Sequence, residues 1–332
     1  MIAISTLTEV KLGHRAWPIA VAESGHIAAL SKDGSGTLLA PDHTTCSAFR
    51  LKHEPSDAAL SPDGSLLAVT MGGKLALLST SNFGAVDRLD DSLECSCFGS
   101  TGILWSASRL DEDSFVLEIR EPEAWNVVAR TELKDPFGDS MLKILPHPGG
   151  KYVAIFVAAG QDGQHLFWAH RHGAKIVVVD PFPDVDAIKF PSFSPSGDSF
   201  VTICEESEIR LYGFPRGPCH ATMQWPSDGM DNQIGDFAEF VDSSRALVTD
   251  LDNGLHLVDL RKMTVADEVT FCRESRLGSK IASGQREKGG PSPDLVYFGR
   301  LPAGGFFSIH RDQSPLRGAG NQDTIRTWRV PA

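Results

Sequence analysis

The stretch Leu60-Ser-Pro-Asp-Gly-Ser-Leu-Leu-Ala-Val-Thr70 decides how this chain is read. An apolar run stops at Ser-Pro-Asp-Gly, and a second apolar run begins two residues later. Proline presets φ for a turn, and glycine supplies the left-handed conformation that completes the reversal. The spacing therefore predicts a tight hairpin joining two strands. Phe193-Ser-Pro-Ser-Gly-Asp-Ser-Phe-Val-Thr202 repeats the design, as does Pro146-His-Pro-Gly-Gly150 ahead of Tyr152-Val-Ala-Ile-Phe156. Weaker copies are Ser24-Gly25 before Ile27, Ser100-Thr-Gly102 before Ile103, and Asp242-Ser-Ser244 before Ala246.

With Gly25, Gly64, Gly102, Gly150, Gly197, Ser244 and Gly304 as markers, the spacings are 39, 38, 48, 47, 47 and 60 residues. A four-stranded propeller blade repeats at roughly 40–45 residues. The expectation is an all-β chain: a single seven-bladed β-propeller with four-stranded antiparallel blades. The approximate blades are 16–51, 52–91, 92–136, 137–183, 184–228, 229–274 and 275–332 plus 1–12, within one domain spanning 1–332. The surplus in the last spacing falls on the polar, Gly-rich stretch 278–293, read as a loop.

A second hairpin follows each turn, as in Leu66–Met71 with Lys74–Ser79, Phe200–Cys204 with Glu208–Tyr212, and Ala246–Asp250 with Leu255–Leu260. Asp252-Asn-Gly254 is a hairpin signal in its own right. No long stretch has helical periodicity, so helix content near zero is expected. The last blade lacks a fourth strand, while Ile2–Leu12 precedes the first. Donating that segment to the last blade would leave no open seam in the ring.

Three stretches carry a family resemblance: Ser-Pro-Asp-Gly at 61–64, Ser-Pro-Ser-Gly at 194–197, and Asp323-Thr-Ile-Arg-Thr-Trp-Arg329. They resemble the WD-repeat propellers, the last looking like that family's third blade strand with its near-terminal Trp. Gly13-His14 is similar to the family's Gly-His pair, although no Trp-Asp dipeptide occurs. The resemblance implies an assembly platform for other proteins.

At 332 residues the chain can bury an ample core without disulfides or metal. The net charge of −12 disfavours phosphate backbones, so no nucleic-acid partner is expected. The apolar run from Tyr152 to Ala159 is too short to span a bilayer, and Met1–Arg15 does not look like a secretory signal. No membrane association and a cytoplasmic location are the expectation. The six cysteines lack framework spacing, which fits reduced thiols.

Catalytic signatures are sparse. There is no G-x-S-x-G, H-E-x-x-H, C-x-x-C or phosphate-binding glycine loop. His310-Arg-Asp312 mimics the kinase tripeptide without any other kinase element. Asp250-Leu-Asp-Asn-Gly254 superficially resembles a calcium loop, but Arg261 stands where the twelfth-position Glu belongs. His170 and His172 could share a face with a metal, with His147 and His165 nearby, but Gly173 places them in a turn.

Sorting charge by face is more informative. Loops after second and fourth strands open on one face of a propeller; loops after first and third strands open on the other. The first face collects nineteen acids against six bases, and the opposite face six against six. Such a mouth would attract a basic partner segment. The expectation is a non-catalytic protein-interaction scaffold without cofactor or metal. Its partner-binding residues would be Asp57, Asp91, Asp111, Asp113, Phe137, Asp139, Trp168, Asp186, Glu205 and Asp231. The alternative resembles lactonase-type propeller hydrolases, with a divalent metal in the central channel held by carboxylates such as Asp57, Asp186 or Asp231.

Overall fold

The structure, a computed structural model, describes the chain apart from residues 1, 5, 90–92, 139, 159–163, 181–190, 205–206, 216–217, 227–233, 251–253, 272–293, 303, 312–321 and 331–332. It contains seven sheets and, among the described residues, no α-helix.

Blade one is β3 (Ile19–Val21), β4 (Ile27–Leu30), β5 (Ser35–Leu39) and β6 (Cys46–Arg50). Blade two is β7 (Pro55–Leu60), β8 (Leu66–Met71), β9 (Lys74–Ser79) and β10 (Ala85–Leu89). Blade three is β11 (Leu93–Phe98), β12 (Leu104–Asp111), β13 (Ser114–Arg120) and β14 (Val127–Lys134). Blade four is β15 (Met141–Pro146), β16 (Tyr152–Ala158), β17 (Gln164–His172) and β18 (Lys175–Val179). Blade five is β19 (Ser192–Phe193), β20 (Ser199–Cys204), β21 (Glu208–Gly213) and β22 (Cys219–Gln224). Blade six is β23 (Ile234–Phe240), β24 (Arg245–Asp250), β25 (Leu255–Asp259) and β26 (Thr264–Phe271). Blade seven joins β27 (Asp294–Arg300), β28 (Phe306–Arg311) and β29 (Asp323–Trp328) to β2 (Thr6–Lys11). The chain is a seven-bladed β-propeller.

Successive side chains on a strand point to opposite sheet faces, so each blade feeds two neighbours. In β8, Leu67 and Val69 pack toward blade one while Ala68 packs toward blade three. Repeated around the ring, this produces seven apolar clusters, one between each pair of adjacent blades. First strands stand side by side around the axis: β3 with β7, β7 with β11, β11 with β15, β19 with β23, and β23 with β27.

All seven turn markers fall between the first and second strands. Six share one geometry, in which the glycine N–H donates to the carbonyl three residues back, as Gly64 does to Ser61 (2.8 Å) and Gly197 to Ser194 (2.9 Å). Their φ values lie between +66° and +92°, the region where only glycine avoids a steric cost. In blade six Ser244 takes the place, with Asp242 Oδ1 accepting from the N–H groups of Ser244 and Arg245.

Closure uses the N-terminus as expected, with a refinement. β2 pairs antiparallel with β29, Thr6 facing Trp328 and Lys11 facing Thr324. The segment 2–12 is not one strand, however. β1 (Ile2–Ile4) runs parallel to β26 as a fifth strand of blade six, and Ile4 is fully buried between blades six and seven. Asp323, also fully buried, completes the seam. Its carboxylate accepts the Ala16 N–H (2.9 Å) and the Arg311 Nε (3.3 Å), tying blade seven to the entrance of blade one. The Trp of the 323–329 motif, Trp328, does sit on the third strand of its blade, where its indole N–H donates to Ser308 Oγ (3.0 Å).

Candidate functional site

The upper face is the one carrying loops after second and fourth strands; the lower face carries the turns just described. Among the described residues, seven large apolar side chains are exposed. Leu7, Val86, Val127 and Val177 lie on the outermost strands β2, β10, β14 and β18. The other three are Trp17 (48% exposed), Leu110 (52%) and Met141 (53%), and all belong to the upper face.

Trp17 is held just before β3, where its N–H donates to the Leu30 carbonyl (2.6 Å). Its ring lies 6.5 Å from that of Tyr297 in blade seven and 5.4 Å from the Lys143 ammonium in blade four. Contacts to blades seven and four from the start of blade one place the indole over the central axis. Lys143 also pairs with Asp57 Oδ1 (2.8 Å), whose other oxygen accepts the Ser96 N–H of blade three (2.9 Å). Asp57, the first candidate partner residue, thus has both oxygens occupied and ties together the inner strands of blades two, three and four.

Leu110 owes its exposure to a β-bulge. Arg109 faces Phe115 and Asp111 faces Ser114, leaving Leu110 unpaired between them. Bulges re-aim side chains in this way. The neighbouring Arg109 is immobilised: its guanidinium lies 4.4 Å from the Phe115 ring centre, pairs with Glu94 (3.0 Å) and Asp135 (3.3 Å), and donates to the Ser140 carbonyl. That last bond places the bulge beside Met141, the first residue of β15. Asp135 is buried and accepts from the Phe137 N–H (3.0 Å) and from Ser140 N (3.1 Å) and Oγ (2.7 Å). Burial acts to raise its pKa, but the bonds from Ser140, Phe137 and Arg109 prevail and hold the carboxyl below the usual range.

Two predicted site residues, Asp111 and Asp113, meet at the tip of the β12–β13 hairpin, where Asp111 Oδ1 accepts the Asp113 N–H (2.9 Å) and the Ser114 hydroxyl (2.8 Å). With Ser114, Glu132 and Lys134 they line a shallow open depression. Phe137 lies nearby but is half-buried against the blade three–four core. Trp168 is not a rim residue. β17 extends nine residues to His172, so Trp168 is mid-strand, fully buried, and packed on Phe193, Phe200 and Phe214. Asp91, Asp139, Asp186, Glu205 and Asp231 lie outside the described residues, as do twelve of the nineteen acids assigned to the upper face.

The histidines do not converge. His147 accepts the Gly149 N–H at Nδ1 (3.0 Å), so Nε2 carries the proton donated to the Gly197 carbonyl (2.7 Å). His165 Nε2 lies 3.1 Å from Asp180 Oδ1, and His170 lies against Tyr152. Among the described residues, no three His, Cys, Asp or Glu side chains cluster tightly enough to hold a metal ion. No observation favours the channel hydrolase. At the calcium-loop lookalike, β24 and β25 pair antiparallel with Thr249 facing Leu255, and Gly254 N donates to Asp250 Oδ1 (2.6 Å); Leu251, Asp252 and Asn253 lie outside the described residues.

Deeper in the inner ring, Ser192 Oγ donates to Glu239 Oε2 (2.6 Å) and accepts the Phe240 N–H (3.2 Å). Burial pushes the Glu239 carboxyl up to about 7, against the opposing pull of Ser192 and Arg300. The same burial, with Glu239 close by, raises Tyr297.

Similarity to solved structures fits this architecture. The β-propeller domain of Cps50 (Swd1) from Myceliophteria thermophila superposes with a TM-score of 0.64 over 98% of this chain and all of that one, at 12% identity. That likeness shows the fold. No protein-family model matches the sequence, and no curated protein matches it.

Proposed function

We propose that this propeller is a non-catalytic interaction scaffold whose upper face receives a protein segment carrying Lys or Arg. The observation that carries the reading is the partition of exposed apolar side chains. Apart from the outermost strands, they occur only on the upper face among the described residues. Clustered exposed apolar side chains mark interaction surfaces, and a half-exposed Trp at the centre of such a face is a characteristic anchor. The net charge of −12 and the acids of the upper-face loops favour a basic partner and disfavour nucleic acid and anionic lipid. The five described cysteines are all free, which supports a reducing, cytoplasmic setting.

Affinity capture from native extract at low salt tests this, with Trp17→Ala/Met141→Ser beside wild type and the outer-strand variant Val86→Ser as control. Proteins retained by wild type and control, lost from the double variant and released by salt support the reading. An identical captured set from all three proteins overturns it.

A further inference from the structure

The exposed apolar residues of the upper face lie on elements linked through Lys143 and Arg109. Trp17 lies over the Lys143 ammonium, and Met141 is two residues before Lys143 on β15, so both side chains leave the same side of that strand. Arg109 bonds the Ser140 carbonyl next to Met141, and Leu110 follows Arg109 in the bulge. The two cations along this path are neutralised from within, Lys143 by Asp57 and Arg109 by Glu94 and Asp135. Beyond Leu110 the hairpin tip bears Asp111, Glu112 and Asp113, none of them in an ion pair among the described residues.

Building on the scaffold reading, we infer that this path is the docking track for one extended segment of a partner protein. Apolar side chains of that segment cover Trp17, Met141 and Leu110, and a Lys or Arg at its end meets the Asp111–Asp113 tip. The internal neutralisation of Lys143 and Arg109 explains the polarity. Among the described residues, the track offers apolar contact along its length and acidic side chains at the Asp111–Asp113 end. A second copy of this chain would carry the same net charge of −12, which opposes self-association through this surface. Hydrophobic anchors supply affinity in such contacts, whereas rim charges set orientation and association rate.

The test uses the full chain, immobilised, and a phage-displayed library of random twelve-residue peptides, with selected peptides resynthesised and titrated by calorimetry. The expected consensus is two or more apolar residues with Lys or Arg toward one end. Leu110→Ser and Met141→Ser should each weaken binding about tenfold or more, and Asp111→Asn/Asp113→Asn about threefold with a shallower salt dependence. Val177→Ser, on an outer strand, should change nothing, and unchanged circular dichroism confirms that each variant is folded. Peptides that lose binding with Trp17→Ala but ignore Leu110→Ser and Met141→Ser overturn the track and leave the upper-face reading standing. Peptides indifferent to all of these changes, or a library that yields no binder, overturn both.

Discussion

Both faces of this ring use acids to hold turns, as Asp33 and Asp111 do on the upper one, but they differ in the apolar side chains they leave exposed. On the lower face, acids serve the turns that carry them. Asp42 accepts from the N–H groups of Thr44 and Thr45, Asp63 from Ser61 and Ser65, Asp198 from Ser194 and Ser196, and Asp242 from Ser244 and Arg245. These bonds hold all four carboxyls below their ordinary range. The turns also brace one another across blades, as where Ser24 N donates to the Pro62 carbonyl (2.8 Å) and His147 Nε2 to that of Gly197. On the upper face the connections differ in length from blade to blade, and among the described residues Trp17, Leu110 and Met141 stay uncovered. A face of repeated turns builds the ring, and the face with uncovered side chains is left to meet something else.

The largest expected effect tests the rigidity of the lower face. At Gly197, φ is +75° and an added β-carbon would collide with the His147 imidazole. Left-handed strain of about 1–2 kcal/mol adds to overpacking of similar size, so Gly197→Ala should destabilise by about 3 kcal/mol. Gly138, on the upper face, also has positive φ (+70°), yet its nearest neighbour is 3.7 Å from the added atom. Gly138→Ala should therefore cost only the strain, about 1–2 kcal/mol. Urea unfolding of the two variants gives the comparison directly. Equal losses would mean that the inter-blade contact at Gly197 contributes nothing.

The next effect concerns a part of the upper face that braces blades as the lower face does. Lys143→Met leaves Asp57 buried without its cation, at about 2 kcal/mol, less than a fully buried pair because Lys143 is partly exposed. Asp57→Asn keeps an acceptor for the Ser96 N–H, and in combination with Lys143→Met should recover part of that loss. A double-mutant cycle reads the coupling; additive losses would show that the pair does not join blades two and four.

How much of this was legible follows from the same contrast. Six of the lower-face turns carry glycine because a left-handed position needs it, so the blades can be counted from those glycines and Ser244. Closure could be read as well, since a strand surplus at one end met a deficit at the other. The split of residues 2–12 into β1 and β2 could not, because continuous alternation does not reveal which partner each half chooses. Trp168 gives no sequence sign of its burial, because β17 carries it mid-strand and runs on to His172. Leu110 and Met141 gave no signal either. A bulge is a matter of register, and Met141 begins an ordinary inner strand. Asp57 was visible as a charge, but its cation comes from a strand 86 residues away.

A smaller effect should appear with pH in the inner ring. Glu239 has a carboxyl raised to about 7 in the folded chain, against 4.5 when free. A raised acid opposes folding once it ionises, so wild type should be most stable below pH 4.5 as far as this group is concerned, lose stability through the interval up to 7, and level off above it. Glu239→Gln keeps an acceptor for Ser192 and removes the ionisation. It should melt higher than wild type at pH 8, and the advantage should vanish near pH 4.5. An advantage that is independent of pH would assign the effect to packing rather than to charge.

The smallest effect on stability should come from the residues that matter most for binding. Leu110 and Met141 are more than half exposed, so replacing either by Ser removes little buried area, and surface changes of this kind usually stay within about 0.5 kcal/mol. Both could even raise solubility, since they remove exposed apolar side chains. A residue that holds the ring together cannot behave so, because truncation would open a cavity costing about 2–5 kcal/mol. The urea midpoints of Leu110→Ser and Met141→Ser should accordingly stay close to wild type while peptide binding falls. A midpoint shift comparable to that of Gly197→Ala would show that the upper face is as structural as the lower, and the division of labour between the faces would fail with it.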